Sequence, residues 1–191
     1  MTINKKGTTL VGADAYNKFE SLATLSYSCI KYLIQNNEDI WKLLKYREPD
    51  AWNKAPLTAS EKAQLIYAGQ EDSSQYNVFM DGKQPDVLTE ETTLLRIMPN
   101  YVLGLDRTIG AIEVTMEVYS HYKINHMSNY TTRVDVIAQQ LLATFNGAPI
   151  EGIGNLGVMF FNQMADESLR LFEVGQIPFG GKRILFGIYS A

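Results

Sequence analysis

His121 and His126 are the only imidazoles in the chain. A serine or cysteine nucleophile that relied on a histidine base would have to use one of them. Glu117 stands four residues before His121, a spacing that would bring two metal ligands to one face of a helix. The surrounding residues alternate as a strand does, and on a strand the same spacing separates the pair by roughly 13 Å. No cysteine and no further carboxylate lies close by to complete a site. Both histidines therefore read as loop-entry residues that touch solvent or a neighbouring subunit, and no G-x-S-x-G elbow accompanies them.

Gly152-Ile-Gly154-Asn-Leu-Gly157 spells G-x-G-x-x-G. A dinucleotide fingerprint must follow a strand and open a helix, so that the pyrophosphate meets the helix amino terminus. Here the order is reversed, and a glycine-rich turn between helix and strand accounts for the residues. The carboxylate pairs Glu38-Asp39, Glu90-Glu91 and Asp166-Glu167 point different ways on any regular element, so they read as solvated or dipole-facing positions rather than acid and base. The single cysteine, Cys29, sits in an apolar helical context and reads as a buried, inert thiol. Asn129-Tyr-Thr131 fits the glycosylation sequon, but Met1-Thr-Ile-Asn-Lys-Lys-Gly7 is not followed by the apolar run of a secretory leader. The expectation is no catalytic, cofactor or metal site, and no enzyme; a small hydrolase or nucleotide-binding enzyme is the weaker alternative.

The elements that position these residues change character near residue 70. Before it, Phe19, Leu22, Ala23, Ser26, Ile30 and Leu33 share one face of a helix from Asp14 to Gln35. Asn37 can cap a second helix whose buried side is Ile40, Trp41, Leu43 and Leu44. Thr58-Ala-Ser-Glu61 is a capping box opening a third helix, which Gly69 closes. After residue 70, Gln75–Met80, Thr92–Met98, Leu156–Phe161, Ser168–Val174 and Arg183–Tyr189 read as strands, with Asp81-Gly82 a turn and Pro85 in a loop or edge. The clearest stretch is Ile109 to Gly147. Ile112, Val114, Met116 and Val118 form a dry strand face, Glu113, Thr115, Glu117 and Tyr119 a wet one. A polar loop from Lys123 to Ser128 then leads to a helix with Val134, Ile137, Ala138, Leu141, Leu142 and Phe145 on its buried side. The reading is α+β: a helical segment over 1–70, then a core over 71–191 that is a mainly antiparallel sheet with one amphipathic helix packed on its face.

The 191 residues suit one domain, and 46% hydrophobic content can fill a core. A net charge of −4 and scattered basic residues argue against specific binding of nucleic acid. No apolar run approaches the ~20 residues of a membrane span. In the last quarter, Phe160, Phe161, Phe172, Phe179, Phe186 and Tyr189 lie among many glycines. Filling one core and facing another subunit weigh about evenly for them.

Three strings together, Asn37-Glu-Asp-Ile-Trp-Lys-Leu-Leu-Lys-Tyr46, Leu94-Leu-Arg-Ile-Met-Pro99 and Val118-Tyr-Ser-His-Tyr122, precede Asn129-Tyr-Thr-Thr-Arg-Val-Asp-Val-Ile137 and a helix closing at Phe145-Asn-Gly147. This order, over roughly 37–191, resembles the small neck proteins of tailed bacteriophages, the tail terminator and head-closure families. The resemblance implies a curved sheet flanked by helices. It also implies a non-enzymatic virion protein forming a homo-oligomeric ring, with a hexamer favoured. Such a ring caps the tail and meets neck, tail tube or tail sheath proteins, while DNA passes through its lumen without specific binding. Tail terminator is the leading expectation and head closure or connector adaptor the alternative; the long helical segment before Gly69 exceeds a minimal tail terminator. The expected subunit contacts are Arg133 and Asp135 at the start of the last helix, and Glu113 and Glu117 on the wet strand face turned to a neighbour or the lumen.

Overall fold

The alternation around Glu117 is realised as the central strand of a seven-stranded sheet. The computed structural model describes residues 22–80, 90–104, 110–150, 154–158, 169–173 and 178–190. Its helices are α1 (Leu22–Asn36), α2 (Asp39–Lys45), α3 (Ala59–Gln64), α4 (Tyr122–Asn125) and α5 (Arg133–Phe145). Its strands are β1 (Val78–Phe79), β2 (Thr93–Gly104), β3 (Gly110–His121), β4 (Ala148–Ile150), β5 (Gly154–Val158), β6 (Leu169–Glu173) and β7 (Phe179–Ser190). The strand order is β1-β2-β3-β7-β5-β4, with β6 also paired to β7. Every described pairing is antiparallel except β1 with β2. The α+β class read from the sequence is the class of the fold.

β3 pairs along its whole length with β7, from Gly110 opposite Ser190 to His121 opposite Phe179. On its other side it pairs with β2 from Thr93 opposite Ser120 to Gly104 opposite Gly110. The β2 register slips between Pro99 and Val102. Proline has no N–H to give the ladder, so a strand that carries one internally bulges there. Reading this strand as ending at Met98 stopped at that interruption, whereas the structure absorbs it and continues. β5 and β6 share the far edge of β7: Val158 lies opposite Phe186 and Leu169 opposite Ile184.

One sheet face lies under helices. α1 packs on β2 and β4, α2 on β2 and α5, and α5 on β3, β7 and β5. Leu25, Ile30, Leu33, Trp41, Leu95, Ile97, Val114, Met116, Ile137, Leu141, Phe145, Ile184 and Phe186 fill the main core between them, and Phe79, Leu94, Tyr119 and Phe179 form a smaller cluster apart from it. α5 therefore shares the face with α1 and α2 rather than occupying it alone. Caps define the short helices. Asn37 accepts from the Ile40 N–H at 3.0 Å and donates to Gln140 and Thr144 of α5, so the residue that starts α2 also ties it to α5. Thr58 and Glu61 complete the capping box of α3.

Gly69 does not close α3. That helix ends at Gln64, the chain passes beside β1 with the Tyr67 N–H on the Val78 carbonyl, and Gly69 with φ +93° sits in the turn beyond. The expected strand over Gln75–Met80 shortens to Val78–Phe79. Cys29 is fully buried, and burial pushes its thiol up to about 12, which makes it the inert group expected. Phe179 and Phe186 are core residues. The Asp14 to Ser21 part of the first helix, the Asp81-Gly82 turn, Pro85, Phe160, Phe161 and the Asp166-Glu167 pair lie outside the described residues, as do the side chains of Phe172 and Tyr189.

Candidate functional site

Three strands in register bring the densest polar chemistry of the described residues into one row. Glu117 on β3 lies opposite Arg96 on β2 and Arg183 on β7. Its carboxylate accepts from Arg96 Nη1 at 3.0 Å, Arg183 Nε at 2.8 Å and the Tyr119 hydroxyl at 2.8 Å. Arg170 on β6 occupies the next register position beyond Arg183. Glu117 is 3% exposed, Thr115 4% and Glu113 6%. The wet strand face is thus a second buried face, which corrects the expectation that Glu113 and Glu117 look toward a neighbouring subunit or a lumen. Alternation alone distinguishes two environments, and here both exclude water.

The chemistry available to this row is limited by its pairing. Both carboxylate oxygens of Glu117 are occupied by donors of its own fold, Oε1 by Arg183 and Oε2 by Arg96 and Tyr119. Burial first, and then the hydrogen bond to Glu117 and its charge, pushes the Tyr119 phenol up to about 12, so it stays a donor at neutral pH. The row fixes the register of β2, β3 and β7. Thr115 Oγ1 beside it is buried without a hydrogen-bond partner.

Arg133 is the largest departure from the sequence reading. Expected at a subunit contact, it is fully buried. Its Nε donates to the Ile124 carbonyl, Nη1 to those of Leu43 and Tyr46, and Nη2 to those of Arg47 and Glu48. Five N–H groups therefore meet five backbone oxygens. Two of those oxygens lie at the carboxyl end of α2, where the helix dipole favours a cation. Desolvation lowers the guanidinium to about 10, with Glu48 opposing the shift, so it remains charged at neutral pH. This one side chain fastens α5 to α2, to the 46–48 turn and to α4.

Asp135 keeps an exposed side chain, but it binds Thr132 and forms an ion pair with Lys182 of β7. Its carboxyl is held low by those partners although burial, the largest single influence, pushes it the other way. Asp135 thus closes the amino end of α5 onto the sheet. Sequence reasoning overlooked Arg96, Arg183 and Lys182; pairing the β2–β3 hairpin in register would have set Arg96 beside Glu117.

His121 is buried rather than solvent-facing, which corrects its assignment, while His126 is exposed. Both Glu117 and His121 belong to β3, so no helical metal spacing arises. Among the described residues no group of three His, Cys, Asp or Glu could hold a metal ion. His121 Nδ1 accepts from the Lys123 N–H at 3.3 Å, capping α4, and its ring stacks on Tyr122 and meets Phe179 edge-on. Burial lowers its proton affinity, opposed by Glu91 and aided by Lys123. A histidine that binds protons less well folded than unfolded loses stability as pH falls through the ordinary value of about 6.5 toward the folded one. His121→Asn keeps an acceptor for Lys123 without titrating there. We expect the urea midpoint of the parent to drop between about pH 7 and pH 5 and that of the variant to drop less; equal slopes would assign the drop elsewhere.

Gly152 of the G-x-G-x-x-G string lies outside the described residues. Gly154 and Gly157 lie in β5, which pairs antiparallel with β4, and β5 is a strand rather than the start of a helix. From Gly154 onward, the stretch expected as a turn is one arm of the β4–β5 ladder.

A family model described as YomW matches residues 37–170, well over half of the chain. The chain belongs to the YomW family. The family name is a phage-associated one. No curated protein and no solved structure matches the chain. The YomW match takes in Arg133 and all five residues whose carbonyls it binds, together with Arg96, Glu117, Tyr119 and His121. α1, Arg183 and the whole of β7 fall outside the YomW segment.

Proposed function

We propose that this YomW-family chain is a non-enzymatic structural protein of the phage virion, a tail terminator that forms a ring at the head-to-tail junction. The observation that carries the reading is architectural. Three twelve-residue strands, β2, β3 and β7, lie side by side with helices packed on one face. That layout agrees with the helix-flanked sheet that the neck-protein resemblance implies, and the family is phage-associated. The polar side chains that a hydrolase would recruit are engaged in holding the fold: Glu117 between arginines, His121 under a helix start, Arg133 on carbonyls. The net charge of −4 suits a channel that lets a duplex slide.

Native mass spectrometry of the purified chain tests the reading, together with electron microscopy of particles lacking it. The expected results are a closed ring, six-fold by preference, and heads separated from tails in the deletion. Deletion particles with joined heads and tails would overturn the proposal. Recovery of the ring on isolated heads rather than tails would replace tail terminator by head closure.

A further inference from the structure

The chain contains one Asn-Gly pair, Asn146-Gly147, and the fold places it in the turn that joins α5 to β4. Phe145 before it and Ala148 after it are buried, whereas both turn residues are exposed. The Asn146 N–H donates to the Leu142 carbonyl as the helix ends, and the backbone then turns away, with ψ 113° at Asn146 and φ +78° at Gly147. Glycine takes that left-handed φ without strain. A Cβ at Gly147 would meet nothing within 4 Å, so the space beside the turn is open.

These features suit one reaction. The backbone nitrogen that follows an asparagine can attack the side-chain carbonyl carbon, and a Cβ on the following residue hinders the approach. Gly147 has none. Asn37, Asn77, Asn125 and Asn129 are followed by Glu38, Val78, His126 and Tyr130, which all carry one. We propose that Asn146 is a site of spontaneous deamidation, with water as the co-substrate and the carboxyl end of α5 as the place where the product acts.

The Gly147 nitrogen bonds to Asn146 Cγ and gives its proton to solvent, while the bond from Cγ to the amide nitrogen breaks and ammonia leaves, closing a succinimide ring. Water then adds to a ring carbonyl and opens it. Addition at Cγ restores the peptide bond and gives aspartate; addition at the main-chain carbonyl carbon routes the chain through the side chain and gives isoaspartate. The sum consumes water and releases ammonia, with no change of oxidation state. At ψ 113° the Gly147 nitrogen is turned away from Cγ, and the ring closes only with ψ on the negative side. The rate is therefore set by local opening of the α5–β4 turn.

Either product places a carboxylate where the helix dipole is already negative. Isoaspartate also adds a backbone carbon ahead of β4, which pairs with β5 from Ala148 opposite Leu156. The modification thus loosens the corner that seats α5 against β4, whatever the oligomeric state of the chain.

Incubating the full chain in heavy-oxygen water at mildly alkaline pH, followed by digestion and electron-transfer mass spectrometry, reads the site. Conversion at Asn146 is expected to run roughly tenfold faster than at any other asparagine, because only its neighbour lacks a Cβ, with isoaspartate among the products and heavy oxygen retained. Conversion no faster there than elsewhere would overturn the site. Asn146→Asp supplies the charged product directly, with the neutral Asn146→Ser as its reference. The aspartate variant should melt about 1–3 °C below the serine variant. Equal melting temperatures, or a higher one for the aspartate, would overturn the effect on α5.

Discussion

Arg133→Ala is expected to remove about a third or more of the folding stability. The substitution strands five backbone oxygens that the guanidinium now satisfies, at Leu43, Tyr46, Arg47, Glu48 and Ile124. An unsatisfied buried polar group costs about 1–3 kcal/mol. Water entering the vacated space would rescue some of the five, so a loss of about 5 kcal/mol is the expectation, against a total stability of roughly 5–15 kcal/mol for a domain. Arg133→Lys separates charge from geometry. Lysine keeps the cation at the carboxyl end of α2 but brings three donors in place of five. It should fall about midway, near 2–3 kcal/mol. Urea denaturation followed by circular dichroism measures both. A lysine variant as stable as the parent would mean that charge at the helix end, rather than the donor fork, holds this corner together.

Glu117→Gln should be the second most damaging change. The amide has nearly the same shape, so the loss isolates charge. Arg96 is 9% exposed in its side chain and would lose the carboxylate it now meets at 3.0 Å. Removing one partner of a buried ion pair typically costs about 3–5 kcal/mol. Arg183 contributes little to that figure, because its side chain is 42% exposed and water screens the pair. A double-mutant cycle with Arg96→Met should therefore give a coupling above about 1.5 kcal/mol, and the cycle with Arg183→Met one below about 1 kcal/mol. Equal couplings would show that the two guanidinium groups share Glu117 evenly and that the exposure of Arg183 does not weaken its bond.

The parts of this fold that were legible in the sequence are those written in local periodicity. α5 is legible because its apolar face recurs at three and four from Val134 to Phe145, whereas the cap that Thr132 gives it is seen only in the structure. β3 was read from alternation, and Thr58 and Asn37 from cap chemistry. Long-range facts were not legible. Arg133, one residue past a cap and two before an aspartate, has the local signature of a surface helix position. Only the arrival of the α2 carboxyl end and the 46–48 turn, some ninety positions earlier, turns it into an interior residue. Glu113 and Glu117 failed for a related reason: alternation records that two faces differ, and a face made polar by paired charges looks the same as one made polar for water.

The shared edge of β7 has one further implication. Val158 faces Phe186 and Leu169 faces Ile184, so a single residue opposite Leu185 would carry an unbroken strand from β5 into β6, whereas ten, 159–168, stand in that interval. The far edge of β7 is thus tiled by two separate ladders, so losing either would leave intact the β2-β3-β7 pairing that aligns Arg96, Glu117 and Arg183.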